Sequence, residues 1–145
     1  MDIEHLFDEK INSYEDVYRV VGKIIQACNH WENEFKELLF VAGIKSKATT
    51  PLGLHKMNKM LFYEGILDGY EFETIGKIID RRNYIVHEFF SEIYNYPLEK
   101  IGEFLNGTYY VINEARDVVA NKYDELKGNS TSKRPTIFDK KNDIN

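Results

Sequence analysis

An arginine, an asparagine and a histidine fall within the short run RNYIVH, Arg82 to His87. A guanidinium is a planar fork of donors suited to phosphate or carboxylate. An imidazole, with an ordinary pKa near about 6.5, can accept and return protons near neutrality. Asn83 and His87 are four residues apart, so on a helix they share a face and an amide and an imidazole can support one another there. Arg82 and His87 diverge by about 140° on a straight helix. Bringing them to one point therefore needs arginine's reach, a local distortion, or a second subunit. The alternative is a structural arginine paired with a carboxylate from another helix, for example Glu34 or Glu37, with His87 an ordinary surface residue.

The element that carries these residues is legible from its periodicity. Ile75, Ile79, Val86, Phe89 and Ile93 fall on one stripe at helical spacing, and Arg82 lies in its middle. A helix from about Glu71 to Tyr94 is expected, ending before Pro97 because the residue ahead of a proline is pushed out of helical geometry. Val17, Val21, Ile24, Cys28, Trp31, Phe35, Leu39 and Ala42 step by three and four, predicting a long amphipathic helix from Tyr14 to Ala42 that stops at Gly43. Thr50-Pro51 reads as an N-cap and first-turn pair for a shorter helix reaching Phe62. Leu98, Ile101, Leu105, Val111, Ile112, Ala115, Val119, Tyr123 and Leu126 predict a last helix, interrupted or bent near Gly107-Thr108. The expected architecture is all-α, an antiparallel bundle of four to five helices over residues 1–127. From Gly128 to Asn145 the chain is polar and without periodicity and reads as a flexible tail.

Composition narrows the function classes. A formal net charge of −5 argues against coating nucleic acid through bulk positive charge. Yet from Gly43 to Tyr63 the chain carries Lys45, Lys47, His55, Lys56 and Lys59 without an acidic residue, a local surface able to attract anions or simply a solvated lysine loop. The single cysteine, Cys28, excludes an internal disulfide and any multi-cysteine metal site, and its place on an apolar stripe makes it a core residue. Glycine-rich phosphate loops, HExxH and nucleophile-elbow patterns are absent. No metal site and no cofactor are expected. His5 and His30 read as solvated side chains. No run of about eighteen apolar residues and no signal-like N-terminus is present, so a cytoplasmic protein without membrane association is expected.

Arg82, Asn83 and His87 together resemble the R-polar-x-x-x-H signature of the HEPN superfamily, set here in a long helix of a small helical domain. Arg81 also fits the looser spacing of that signature. The resemblance implies a metal-independent endoribonuclease acting as a homodimer, often a toxin of a toxin–antitoxin or antiviral system, with Arg82, Asn83 and His87 catalytic. RNA would be the substrate, with the lysine-rich stretch and Arg81 as candidate RNA contacts and a nucleotidyltransferase as one candidate antitoxin. Expected products are a 2′,3′-cyclic phosphate and a 5′-OH. HEPN toxins paired with nucleotidyltransferases commonly continue the motif as H-x-Tyr. This chain has His87-Glu88-Phe89, which offers no hydroxyl there for adenylylation. The competing expectation is a non-catalytic helical module for dimerisation or partner binding.

Overall fold

The computed structural model describes residues 10–44, 53–128, 135–136 and 138. Among them the chain forms helices and no strand: α1 (Tyr14–Val41), α2 (Leu54–Tyr63), α3 (Gly69–His87), a short α4 (Phe89–Glu92) running into a single 3-10 turn at Ile93–Asn95, and α5 (Leu98–Leu126). The all-α bundle expected from periodicity is what forms.

Local chemistry sets most of the boundaries. The Ser13 side chain accepts from the Asp16 backbone N–H at 3.2 Å and so caps α1. At the other end Gly43 takes φ +73°, while Gly43 N–H donates to Phe40 O and Ile44 N–H to Leu39 O. That reciprocal closure satisfies carbonyls the helix would leave open, and only glycine enters it without steric cost. α3 begins with a capping box in which Asp68 and Glu71 serve each other's backbone N–H groups at 2.8 and 2.9 Å. α2 starts from Gly53, which lends no side-chain cap; Thr50 and Pro51, expected to start it, lie outside the described residues.

The core lies chiefly between the two longest helices, α1 and α5, with α3 packed across both. Trp31, Phe35 and Leu38 of α1 and Leu105, Ile112 and Ala115 of α5 are fully buried. Ile75, Ile78, Ile79 and Ile85 are the buried positions of α3. Each such side chain is worth about 1.5–3 kcal/mol relative to exposure, which is why two long amphipathic stripes suffice to order this many residues.

Two expectations are corrected. The helix expected from Glu71 to Tyr94 is broken after His87. Glu88 leaves helical geometry at φ −123°, and the Ser91 hydroxyl donates to its carbonyl at 2.7 Å, a local bond that competes with the helix ladder. The expected interruption near Gly107-Thr108 is not found, and α5 runs unbroken for 29 residues. Thr108 donates to Phe104 O one turn back at 2.7 Å, and Gly107 serves clearance: a Cβ there would meet Arg81 Nη2 at 3.3 Å. Within the segment expected to be a flexible tail, Phe138 is buried, its ring and that of Tyr70 meeting edge to face at 6.1 Å. Most of the rest of that segment lies outside the described residues.

Candidate active site

α3 carries all three motif residues, and its geometry separates them. Arg82 turns toward α1. Its Nη1 donates to Asn83 Oδ1 at 2.9 Å, while its Nε is shielded from solvent and meets no hydrogen-bond partner. The guanidinium lies beside Cys28 of α1. Burial pushes the Cys28 thiol up to about 11, and the neighbouring Arg82 charge pulls the other way. No carboxylate among the described residues forms an ion pair with Arg82. Glu34, one of the partners considered from sequence, instead receives Arg116 of α5 at 2.6 Å, and Glu37 is exposed.

His87 is the last residue of α3 and its side chain is exposed. Because the helix stays regular through His87 and breaks only afterwards, the break does not swing the imidazole toward Arg82. Within one chain the two groups remain on different faces, about 140° apart. Asn83 shares a face with His87 as its spacing requires, but its amide oxygen is occupied by Arg82.

Arg81 is the arginine that crosses between helices. Its Nε donates to Thr108 Oγ1 at 3.1 Å, its Nη2 donates to Phe104 O at 3.1 Å, and the guanidinium sits 5.0 Å from the centre of the Phe104 ring. Desolvation holds its pKa below the usual arginine value. Of the other candidate RNA contacts, His55 is tied to Asp80 of α3, Nε2 to Oδ1 at 2.8 Å. Lys56 and Lys59 are exposed on α2, Lys59 lying 5.8 Å over the Tyr63 ring. Lys45 and Lys47 lie outside the described residues. The segment that holds them leads into the N-terminal end of α2, which the His55–Asp80 contact fixes two residues before Arg82.

Asp80 is the site residue the sequence reading missed. Asp80, Asn83 and His87 stand at i, i+3 and i+7 and therefore share the solvent face of α3. That spacing was a signal available from sequence. What it could not show is that α2 would deliver His55 to Asp80.

Beside this face is an exposed apolar strip. Tyr18 and Ile25 of α1 and Val86, Phe90 and Tyr94 beyond Arg82 keep 40–64% of their surface in solvent. Tyr18 binds the two elements together: its ring is 5.9 Å from Phe90, and its hydroxyl is 3.0 Å from that of Tyr94. Val86, expected on the buried stripe, is on this strip at 43% exposure.

Among the described residues no helix is long and apolar enough to cross a membrane, and no group of three or more His, Cys, Asp or Glu side chains is placed to hold a metal ion. No protein-family profile matches the chain, and neither a curated protein nor a solved structure is significantly similar to it.

Proposed function

We propose that the protein is a HEPN-type endoribonuclease that acts as a homodimer, with RNA as substrate. The observation that carries the reading is the state of Arg82. A guanidinium on the core side of a helix normally meets a carboxylate. This one donates to its neighbour Asn83 and lies beside the Cys28 sulfur, and no carboxylate among the described residues pairs with it. A half-buried guanidinium without a carboxylate can still take an anion on its outer nitrogens, and the phosphodiester of RNA is one.

The apolar strip supports the dimer. Val86 lies one turn beyond Arg82, so a two-fold contact over Tyr18, Ile25, Val86 and Phe90 would lay two copies of α3 side by side and bring both Arg82 and both His87 side chains to a shared cleft. There one His87 accepts the proton of the RNA 2′-OH as its oxygen attacks phosphorus. The P–O5′ bond breaks, the leaving 5′-oxygen takes a proton from the other imidazole, and a 2′,3′-cyclic phosphate remains. Arg82 stabilises the charge on the phosphate oxygens. With a phenylalanine at position 89, control by adenylylation of a tyrosine there does not apply. A toxin role fits this chemistry.

The test is cleavage of a structured RNA pool by purified protein, with helicity and particle mass measured in parallel. His87→Ala should abolish cleavage in a folded dimer. Arg82→Lys should be severely impaired, because a point charge does not reproduce the fork. His30→Ala and His55→Ala should retain most activity, and the wild type should keep its activity in EDTA. Undiminished cleavage by folded His87→Ala protein would end the nuclease reading. A strictly monomeric wild type would end the shared cleft.

A further inference from the structure

Just past the α3 break the fold leaves a recess of about 510 Å³, large enough for a small molecule, and nothing in the proposed phosphodiester chemistry uses it. Four rings line it, those of Tyr84, Phe89, Phe104 and Tyr96, together with Ile93 and Ile101. Phe89 and Phe104 are nearly parallel, 21° apart, Tyr84 stands edge-on to Phe104 at 87°, and Tyr96 is 53% exposed. The charge around these rings is negative. From Glu88 to Glu103, the stretch that supplies most of the lining, the chain carries four glutamates and one lysine. That lysine, Lys100, lies 3.6 Å from the Glu103 carboxylate, so its charge is already answered. The Tyr84 hydroxyl donates to the Glu92 carboxylate, and the charges of Glu92 and Glu88 both act on that hydroxyl. The Arg81 guanidinium, 5.0 Å from the centre of the Phe104 ring, has its Nε and Nη2 engaged by Thr108 and the Phe104 carbonyl. Four glutamates against Lys100 and Arg81 leave this end of the fold net negative.

We infer that this recess binds a small organic cation, a quaternary ammonium with an apolar body, its charge over the aromatic rings on the Glu92 side and its body against Ile93 and Ile101. An aromatic face carries the negative part of the ring quadrupole and attracts a cation, most usefully one whose methylated surface is cheap to desolvate. Phe104 shows that preference in use, since a guanidinium already lies against it. An anion has no such welcome here. The one lysine in the lining is paired, and Glu88 and Glu92 would repel a negative ligand. A neutral apolar molecule would fill the recess but leave the ring faces and the Glu92 charge unanswered. The assignment does not depend on the nuclease reading, because no group proposed for cleavage takes part in it.

The experiment uses the full chain with ¹³C-labelled isoleucine methyls and titrates in benzyltrimethylammonium. The controls are 2-methyl-1-phenylpropan-2-ol, which has nearly the same shape without the charge, and phenylacetate, which carries the opposite one. Ile93 and Ile101 methyl signals should shift and saturate with the cation about tenfold more tightly than with the alcohol, and not with phenylacetate, while Ile24, in the α1 core, stays unmoved. Tyr96→Leu keeps apolar bulk and removes a π-face at an exposed position, and it should weaken cation binding about three- to tenfold. Glu92→Gln, checked for native helicity, should weaken it by a similar factor and leave the alcohol unaffected. Lys100→Ala should leave cation binding unchanged or tighten it, the reverse of what an anion site would show. Signals that do not move at millimolar cation overturn the site. Equal affinity for the alcohol, binding undiminished in both Tyr96→Leu and Glu92→Gln, or weaker cation binding in Lys100→Ala overturns its assignment to a cation. Cleavage of RNA is not part of the readout, so cation binding by a protein that cleaves nothing keeps this site and removes the nuclease reading, and cleavage by a protein that ignores the cation does the reverse.

Discussion

Two adjacent arginines make opposite demands on the fold, and replacing each by methionine separates them. Methionine keeps the aliphatic stem and removes the charge and its donors, so packing is little changed. Arg81→Met deletes two part-buried bonds, to Thr108 Oγ1 and Phe104 O, and the guanidinium over the Phe104 ring. Hydrogen bonds from a charged donor contribute about 1.5–3 kcal/mol each and an exposed cation–π contact about 0.5–1. Two effects work against that sum. The guanidinium is partly desolvated, and Phe104 O keeps its bond from Thr108. A net loss of about 2–3 kcal/mol follows, or a Tm lower by about 5–10 °C for a domain of this size. Arg82→Met removes the bond to Asn83, the contact with Cys28 and a buried donor that has no partner, and orphans no carboxylate among the described residues. It should change stability by less than about 1 kcal/mol in either direction. Urea denaturation followed by circular dichroism at 222 nm reads both. Arg82→Met at least as destabilising as Arg81→Met would refute the assignment of Arg81 as the brace and Arg82 as the group held ready for an anion.

Gly107→Ala should lower stability by about 0.5 kcal/mol in the wild type, where the new methyl meets Arg81 Nη2 at 3.3 Å, yet raise it by up to about 1 kcal/mol in Arg81→Met, where helix propensity acts unopposed; equal effects in both backgrounds in a denaturant cycle would contradict the clearance role. The Tyr84 hydroxyl is pushed up to about 12, first by its bond to Glu92 and then by burial. A raised folded-state pKa adds stability that is intact below the ordinary tyrosine value of about 10 and is lost as pH climbs through the folded value, so melting temperature should fall between about pH 10 and 12. Glu92→Gln should move that fall to lower pH, and a profile identical to the wild type's would exclude Tyr84 as its source. Phe138→Ala should cost about 2 kcal/mol by emptying its place against Tyr70, read as a shift in the urea midpoint; a midpoint unchanged would mean that the ring adds nothing.

The helices themselves were legible because long amphipathic stripes leave few other solutions. The α1 stripe from Val17 to Leu39 is buried throughout as its spacing requires, and Gly43 ends the helix as expected. Periodicity also put Arg82 on the inward side of α3, where it meets Cys28. What periodicity could not supply is the identity of partners across helices. Arg81 and Arg82 are equivalent in type, and only the approach of α5 decides which one becomes the brace. Gly107 reads as a bend in α5 because glycine's local effect is visible in sequence, whereas its service as a gap for another helix's side chain is not. The Glu88 break escaped notice for a similar reason. The run HEFFSE continues the helical pattern, and nothing in its spacing marks the turn that Ser91 closes on the Glu88 carbonyl. Val86 fell on the stripe by angle, but the strip it joins belongs to a surface that one chain leaves open.

The fit of Arg81 into the gap at Gly107 gives the α3–α5 pair a detent. Sliding α5 by a full turn, about 5.4 Å of travel, would break the Thr108 bond and set Glu103 or Val111 in place of Gly107 at the guanidinium. Neither neighbouring station has an empty notch. A full-turn slip of these helices is therefore disfavoured, and Asn83 and His87 lie beyond the seated point. Asn83 and His87 follow Arg81 on the same helix, so the seat that fixes the α3–α5 register also fixes where those two residues stand.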